Sequence, residues 1–166
     1  MTSLTPTLVS APVLIPVTLD EAKAHLKVDH DDEDALIGSL IAAAVGYLDG
    51  WRGILGRAIM PQTWRVTVEG SGVYVLPMPD VTSAMMNGDP LEVSASVAGP
   101  VVDVSGAGDI EFICAMGAAQ LAVAKVAILF LVGHWFANRE AVNVGSATVL
   151  PMALDMLVSS IRWRML

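Results

Sequence analysis

The sequence predicts an α+β fold, with a helical core of about four helices and a small antiparallel β-hairpin region. Apolar residues recur at helical spacing before residue 54 and after residue 118, whereas short runs separated by turn residues fill the middle of the chain. A length of 166 residues suits one domain that can bury a core without disulfides or metals. We therefore expect an extended N-terminal arm over residues 1–17, because of its prolines, and a single domain over residues 18–166.

The first two helices are predicted from a capping signal and an apolar stripe. Thr18 followed by Glu21 three residues later is a capping box, which predicts a short helix that ends near Val28. A second helix is predicted over residues 32–54. The apolar residues that would face the core from it are Ile37, Leu40, Ile41, Ala44, Leu48, Trp51 and Leu55.

The opposite side of this second helix carries small residues, among them Ser39, Ala42 and Gly46. Glycine lowers helix propensity, so its presence is explained best if another element approaches closely. Two interpretations remain open from the sequence. Either the last helices of the same subunit pack against this face, or a second subunit does.

Between residues 61 and 117 the pattern changes to short strands separated by turns. Gly70-Ser71-Gly72 and Asn87-Gly88-Asp89-Pro90 fit hairpin connections, and prolines place several segments at sheet edges. The predicted strands cover residues 63–69, 73–76, 81–86, 91–97, 101–104 and 110–115.

The stretch Ala118–Ala137 is apolar on nearly every face and is long enough to cross a bilayer. Lys125 interrupts it and leaves thirteen uncharged residues on each side, a length typical of buried core helices. We expect a core helix and no membrane contact. The alternative is a small membrane-associated protein with Ala118–Ala137 in lipid.

Composition indicates a protein that works in an assembly. Apolar residues make up 54% of the chain and charged residues 16%, below the roughly 25% charged of ordinary soluble domains. The surplus apolar surface must be covered by other subunits or by lipid. A net charge of -8 argues against a groove that grips nucleic acid, although an acidic wall suits DNA that passes without binding.

The sequence shows no constellation for catalysis, and we predict neither catalytic residues nor a cofactor or metal. No HExxH, GxSxG or phosphate-binding loop occurs, and the acidic run at residues 29–34 suits the start of a helix. Cys114 is the only cysteine, so no internal disulfide can form, which suits assembly in a reducing cytoplasm. The three histidines lie in separate contexts: His25, His30 and His134.

Several strings in this order resemble the head-tail connector (adaptor) family of long-tailed bacteriophages and related gene transfer agents. They span nearly the whole chain, and the string at residues 134–142 carries the resemblance most strongly. The strings are residues 16–26, 32–37, 56–57, 62–64 and 134–142.

The resemblance implies that residues 18–166 form a single head-tail connector domain in a homo-oligomeric ring. A ring of roughly twelve copies would sit between the portal protein and a stopper or tail-completion protein, in the virion neck. DNA would pass through a central channel without sequence-specific binding, and assembly would take place in the cytoplasm of the bacterial host. The protein would be a structural part of the virion and not an enzyme.

Two groups of residues are candidate structural or interface residues besides the small-residue face. Trp135 and Arg139 are four residues apart and can form a cation-π pair, while Glu140 can reach a basic partner. At the C-terminus, Arg162, Trp163 and Arg164 combine cations with a large aromatic side chain.

Two hypotheses remain for the C-terminal segment, residues 151–166. In the first, the segment leaves the core of its own subunit and docks on the portal, since its basic tip suits an acidic partner surface. In the second, its helix packs inside the subunit against Ser39, Ala42 and Gly46, with its arginines solvated.

Overall fold

The computed structural model describes residues 4–138 and 152–163, without the side chain of Met152. These residues form four helices and eight strands, in agreement with the predicted α+β class. In chain order the elements are β1 (Thr7–Ser10), α1 (Leu19–Leu26), α2 (Asp34–Leu48), β2 (Gln62–Val68), β3 (Gly72–Val75), β4 (Val81–Met86), β5 (Asp89–Leu91), β6 (Ser94–Ser96), β7 (Gly99–Val104), β8 (Gly108–Cys114), α3 (Ala118–Ala137) and α4 (Met152–Ile161).

The predicted capping box begins α1. The Oγ1 of Thr18 accepts a hydrogen bond from the backbone nitrogen of Glu21 at 3.2 Å, and a carboxylate oxygen of Glu21 accepts one from the backbone nitrogen of Thr18 at 2.8 Å. The helix ends where Lys27 adopts a left-handed conformation with φ of 59°. The C-terminal boundary lies within two residues of the prediction.

The second helix ends at Leu48, six residues before the predicted end. The next residue, Asp49, turns its carboxylate toward the following loop and accepts a hydrogen bond from the backbone nitrogen of Ile59 at 2.7 Å. Trp51 and Leu55 therefore lie beyond the helix that was predicted to carry them. Leu55 is fully buried nevertheless, because the loop folds back onto the helices.

The strands form two antiparallel sheets where the sequence predicts one small sheet. The five-stranded sheet has the order β1-β2-β8-β4-β5, and the three-stranded sheet has the order β3-β7-β6. Five of the six predicted strands lie within two residues of their observed bounds. The prediction for residues 91–97 is wrong, because this segment divides between β5 in one sheet and β6 in the other.

One of the two predicted hairpins is present. Asn87 and Gly88 connect β4 to β5 as a two-residue loop with φ values of 54° and 90°, which is the geometry of a type I′ turn. The hairpin predicted at Gly70-Ser71-Gly72 is wrong. There the chain leaves the five-stranded sheet and enters the other, since β2 pairs with β1 and β8 while β3 pairs with β7.

The N-terminal arm is extended, but its strand is ordered on its own subunit. β1 pairs antiparallel with β2, with Thr7 opposite Arg65 and Leu8 opposite Trp64. In this structure the edge of β2 in the same subunit supplies the backbone partners of residues 7–10. All four residues of β1 are exposed.

The buried residues form two clusters that meet at one place. One cluster joins the four helices, and the other lies between the two sheets. The adjacent residues Ala58 and Ile59 belong to different clusters, and the backbone nitrogen of Met116 donates to the oxygen of Ala58 at 2.9 Å. The loop after α2 and the start of α3 thus connect the helices to the sheets.

Helix α3 packs as a core helix. By length and composition it is the one described helix that could cross a membrane. It nevertheless contacts α1, α2 and α4, and Lys125 forms an ion pair of 2.9 Å with Glu21. These contacts agree with the predicted packing of α3 among the other helices. Its fully buried residues are Ala124, Ala127, Ile128, Leu131 and Val132.

Candidate interaction surfaces

The small-residue face of α2 is open to solvent. Ser39, Ala42 and Gly46 are all exposed, and a Cβ added to Gly46 would meet no heavy atom within 4 Å. Helix α4 packs against α3 and does not cover this face. The prediction that the last helices of the subunit pack against Ser39, Ala42 and Gly46 is therefore wrong for the described helices.

An apolar groove of about 470 Å³ lies along this face. Its walls are formed by α2 and by residues 12–19, with Ile59 and Met60 as further lining. At its rim lie Leu14 and Ile15, which are 61% and 65% exposed, and the adjacent Val13 is 93% exposed. The groove and its rim together form one continuous apolar surface, of the kind that marks an interaction site.

Arg57 holds three separate parts of the chain together, and we call this the Arg57 junction. Its Nε donates to Oδ2 of Asp80 at 2.9 Å, and its Nη2 donates to the same oxygen. Its Nη1 donates to the backbone oxygen of Ile161 at 2.8 Å. The guanidinium therefore joins the loop after α2, the chain between the two sheets and the end of α4.

Sequence reasoning assigned Arg57 no role beyond its place in the resemblance. Arg57 is the one charged residue in the apolar stretch 54–60, and a buried charge needs partners. This position could therefore have indicated a structural role for Arg57. Its partners were not predictable, since Asp80 lies 23 residues and Ile161 lies 104 residues further along the chain.

A second buried polar network lies beside the junction. Asp49 accepts a hydrogen bond from Nε2 of Gln62 at 2.5 Å in addition to the one from Ile59. The Oε1 of Gln62 in turn accepts from the indole nitrogen of Trp64 at 3.1 Å. Burial raises the pKa of Asp49, although the hydrogen bonds from Ile59 and Gln62 act in the opposite direction. The network fixes the start of β2 against the end of α2.

The C-terminal helix belongs to the core of its own subunit. Leu154, Val158 and Ile161 are buried in the helical cluster. The backbone nitrogen of Trp163 donates to the oxygen of Leu55 at 2.8 Å, and the indole of Trp163 lies against Gly99 in β7. The hypothesis that the segment leaves the core to dock on the portal is therefore wrong for residues 152–163.

The candidate residues near the ends of α3 and α4 are only partly within the described residues. Arg162 is exposed, as a solvated helix-end cation would be, whereas Arg164 lies outside the described residues. Trp135 is half-buried and meets Tyr47 of α2 edge to face, with ring centroids 6.4 Å apart and an angle of 74°. Its predicted partner Arg139 and the neighbouring Glu140 lie outside the described residues, so their contacts remain predictions.

The acidic residues at the start of α2 form ion pairs with Lys23. Within residues 4–138 and 152–163, no three histidine, cysteine or acidic side chains lie close enough together to hold a metal ion. The Nζ of Lys23 lies 2.6 Å from a carboxylate oxygen of Asp31 and 2.7 Å from one of Asp34. These hydrogen bonds raise the pKa of Lys23 to about 12. The acidic residues Asp31 and Asp34 are therefore paired with a lysine at the start of α2.

Comparison with known proteins supports the resemblance inferred from the sequence. The family model described as phage gp6-like head-tail connector protein matches residues 16–70, which cover α1, α2, the loop with Arg57 and all of β2. No curated protein matches the chain significantly. The resemblance to head-tail connector proteins is thus confirmed, and the matched part of the chain includes Arg57.

Two solved structures share the fold along nearly the whole chain. One is the neck of an empty gene transfer agent particle computed with C6 symmetry, with a TM-score of 0.67, 20% identity, and coverage of 98% of this chain and 97% of that chain. The other is the virion of a native gene transfer agent particle, with a TM-score of 0.67, 19% identity, and coverage of 97% of both chains.

Proposed function

We propose that this relative of the phage gp6-like head-tail connector proteins is a structural subunit of a virion neck, where its copies form a ring between the portal and the stopper. The observation that carries the proposal is the family match over residues 16–70, combined with a shared fold over 98% of the chain. In this role the protein binds partners and catalyses no reaction.

The exposed apolar surfaces favour an oligomer. The groove beside α2 and its rim would be covered by a neighbouring subunit in a closed ring. A contact between two different surfaces of identical subunits closes into a ring when the rotation between copies divides a full turn. Many such modest contacts add up to a stable joint between head and tail.

Roughly twelve copies are proposed for the ring. The neck structure that shares the fold was computed with C6 symmetry, and a ring of twelve is compatible with a six-fold axis as two subunits in each repeat. The net charge of -8 suits a central channel, because an acidic wall repels the phosphates of DNA that must pass without binding.

The partners proposed on the two faces of the ring are the portal protein and a stopper or tail-completion protein. Since residues 152–163 pack on the core of their own subunit, portal binding by this described part of the segment would use its exposed side chains. The candidates there are Arg162 and the exposed Met156. Assembly would take place in the cytoplasm of the bacterial host before the tail joins.

Negative-stain electron microscopy of the purified chain, combined with light scattering over a range of concentrations, tests the proposal. We expect rings with a central hole, formed alone at high concentration or after addition of the portal protein. A chain that remains monomeric at every concentration and does not bind portal-containing heads would contradict it.

A further inference from the structure

The strand β1 is attached to its subunit mainly along one edge. All four of its residues are exposed, and its contacts are made chiefly with β2. Such an attachment depends on backbone hydrogen bonds between two strands and buries little of the side chains in β1. Any β1 strand of the same sequence can therefore replace it without a change in the pairing.

The segment that connects β1 to the rest of the subunit is stiff and apolar. Prolines occupy positions 12 and 16, and proline fixes its own φ and favours extended backbone in the residue before it. Between them lie Val13, Leu14 and Ile15, which are largely exposed to solvent. Residues 11–15 can span about 17 Å when extended, which sets how far β1 can lie from residue 16.

From these features we propose that neighbouring subunits exchange β1, so that residues 7–10 of one copy pair with β2 of the next. The proposal rests on the ring proposed above. The edge of β2 pairs with the sequence of β1 in one register, with Thr7 opposite Arg65. That register is the same whether the strand comes from the same copy or from another. The partner is thus a second copy of this chain.

The exchange also explains the exposed apolar residues of the connecting segment. In a single copy, Val13 is 93% exposed, and its neighbours Leu14 and Ile15 line the apolar groove. When residues 11–15 cross between two copies, both subunits cover them. Apolar surface is then removed from water, while the fold of each subunit stays the same. Each subunit would then be linked to its neighbour by a strand as well as by packed side chains.

Cysteine crosslinking distinguishes the two pairings directly. The double variant Thr7→Cys with Arg65→Cys places thiols on directly opposite positions of β1 and β2. The native Cys114 interferes little, because burial raises its pKa to about 12 and keeps the thiol protonated. The single variants Thr7→Cys and Arg65→Cys reveal any disulfide that involves Cys114.

A second pair serves as the control. Thr67→Cys with Asp109→Cys lies on opposite positions of β2 and β8, two strands inside one subunit that cannot exchange without unfolding the sheet. This pair should form bonds within one chain only, in monomers and oligomers alike. It therefore measures how often disulfides form between chains for reasons other than exchange.

The oxidised oligomer is separated from monomer by size-exclusion chromatography and denatured without reducing agent. We expect covalent multimers for the Thr7/Arg65 pair and single chains for the Thr67/Asp109 pair. An oligomer in which the Thr7/Arg65 pair links only residues of one chain overturns the exchange and leaves the ring intact. A chain that forms no oligomer, alone or with portal-containing heads, overturns the ring and the exchange together.

Discussion

The guanidinium of Arg57 donates a hydrogen bond of 2.8 Å to the backbone oxygen of Ile161, although 104 residues separate them in the chain. The same side chain binds Asp80, so a single residue couples the C-terminal helix to the chain between the sheets. The Arg57 junction lies where the two buried clusters meet. It is therefore a point at which one substitution affects both halves of the subunit.

Replacement of Arg57 by Ala should lower the free energy of unfolding by about 2–3 kcal/mol, because it leaves the carboxylate of Asp80 and the oxygen of Ile161 without their partner. Urea denaturation followed by circular dichroism measures this change. Arg65→Ala is the matched control, since Arg65 pairs with Glu111 on the exposed side of the sheet and its loss should change stability little. Equal effects of the two substitutions would contradict a structural role for the junction.

Truncation after Ser160 should unfold the subunit or destabilise it by about 3 kcal/mol or more. It removes the buried side chain of Ile161, the acceptor of Arg57 and the hydrogen bond from Trp163 to Leu55. Thermal unfolding of the purified protein measures the loss. Truncation after Trp163 retains all three contacts and is the control. A chain ending at Ser160 that melts like the full chain would show that the last helix is dispensable for folding.

The helices were predictable because their signals are local. The capping box at Thr18 and Glu21 needs only residues three apart, and the charge of Lys125 distinguishes a core helix from a bilayer span. The end of α2 was not predictable. The apolar spacing continues past Leu48. The helix ends where the carboxylate of Asp49 accepts a hydrogen bond from the backbone nitrogen of Ile59, in a loop whose path the sequence does not reveal.

The candidate surfaces were predicted less completely than the fold. The small-residue face of α2 was identified from residue spacing alone. Whether a helix of the same subunit covers this face depends on the direction of α4, which the sequence does not predict. The exposure of Ser39, Ala42 and Gly46 settles that point against α4. The Arg57 junction was missed because its two partners, Asp80 and Ile161, lie far from Arg57 in the sequence.

The pKa of Asp49 should make stability depend on pH. Since burial raises this pKa in the folded state above 3.8, the folded chain holds the proton more tightly than the unfolded chain. Stability contributed by Asp49 should therefore fall as the pH rises from about 4 through the raised pKa. The variant Asp49→Asn removes this titration. Urea denaturation at several pH values should show a stability difference, wild type minus variant, that decreases with rising pH.

A difference between wild type and Asp49→Asn that stays constant over this range would contradict the assignment. Asp155→Asn on the outer side of α4 is a suitable comparison, because that carboxylate is exposed. Substitution there should leave the pH profile of stability close to that of the wild type.

Substitution of Gly46 should separate folding from assembly. Gly46→Ala should stabilise the subunit by about 0.5–1 kcal/mol, because alanine favours a helix and the added Cβ meets nothing within 4 Å. Gly46→Gln should also fold, but its longer side chain should hinder close approach of a second subunit to this face. Sedimentation velocity at matched concentrations should then show less oligomer for Gly46→Gln than for wild type.

Ser159→Gln, at an exposed position of α4, is the control for a glutamine on an outer helix face. It should assemble as the wild type does. If Gly46→Gln forms oligomers as readily as Ser159→Gln, the small-residue face of α2 is not a contact between subunits.

Labelling of the chain inside intact particles tests the proposed function most directly. Particles are purified from cells that carry an epitope tag fused to the N-terminus of this protein, and antibody-gold is located by electron microscopy. We expect one gold cluster at the junction of head and tail, and heads without tails when the gene is deleted. Gold on the capsid shell or the tail tip, or normal tailed particles without the protein, would contradict it.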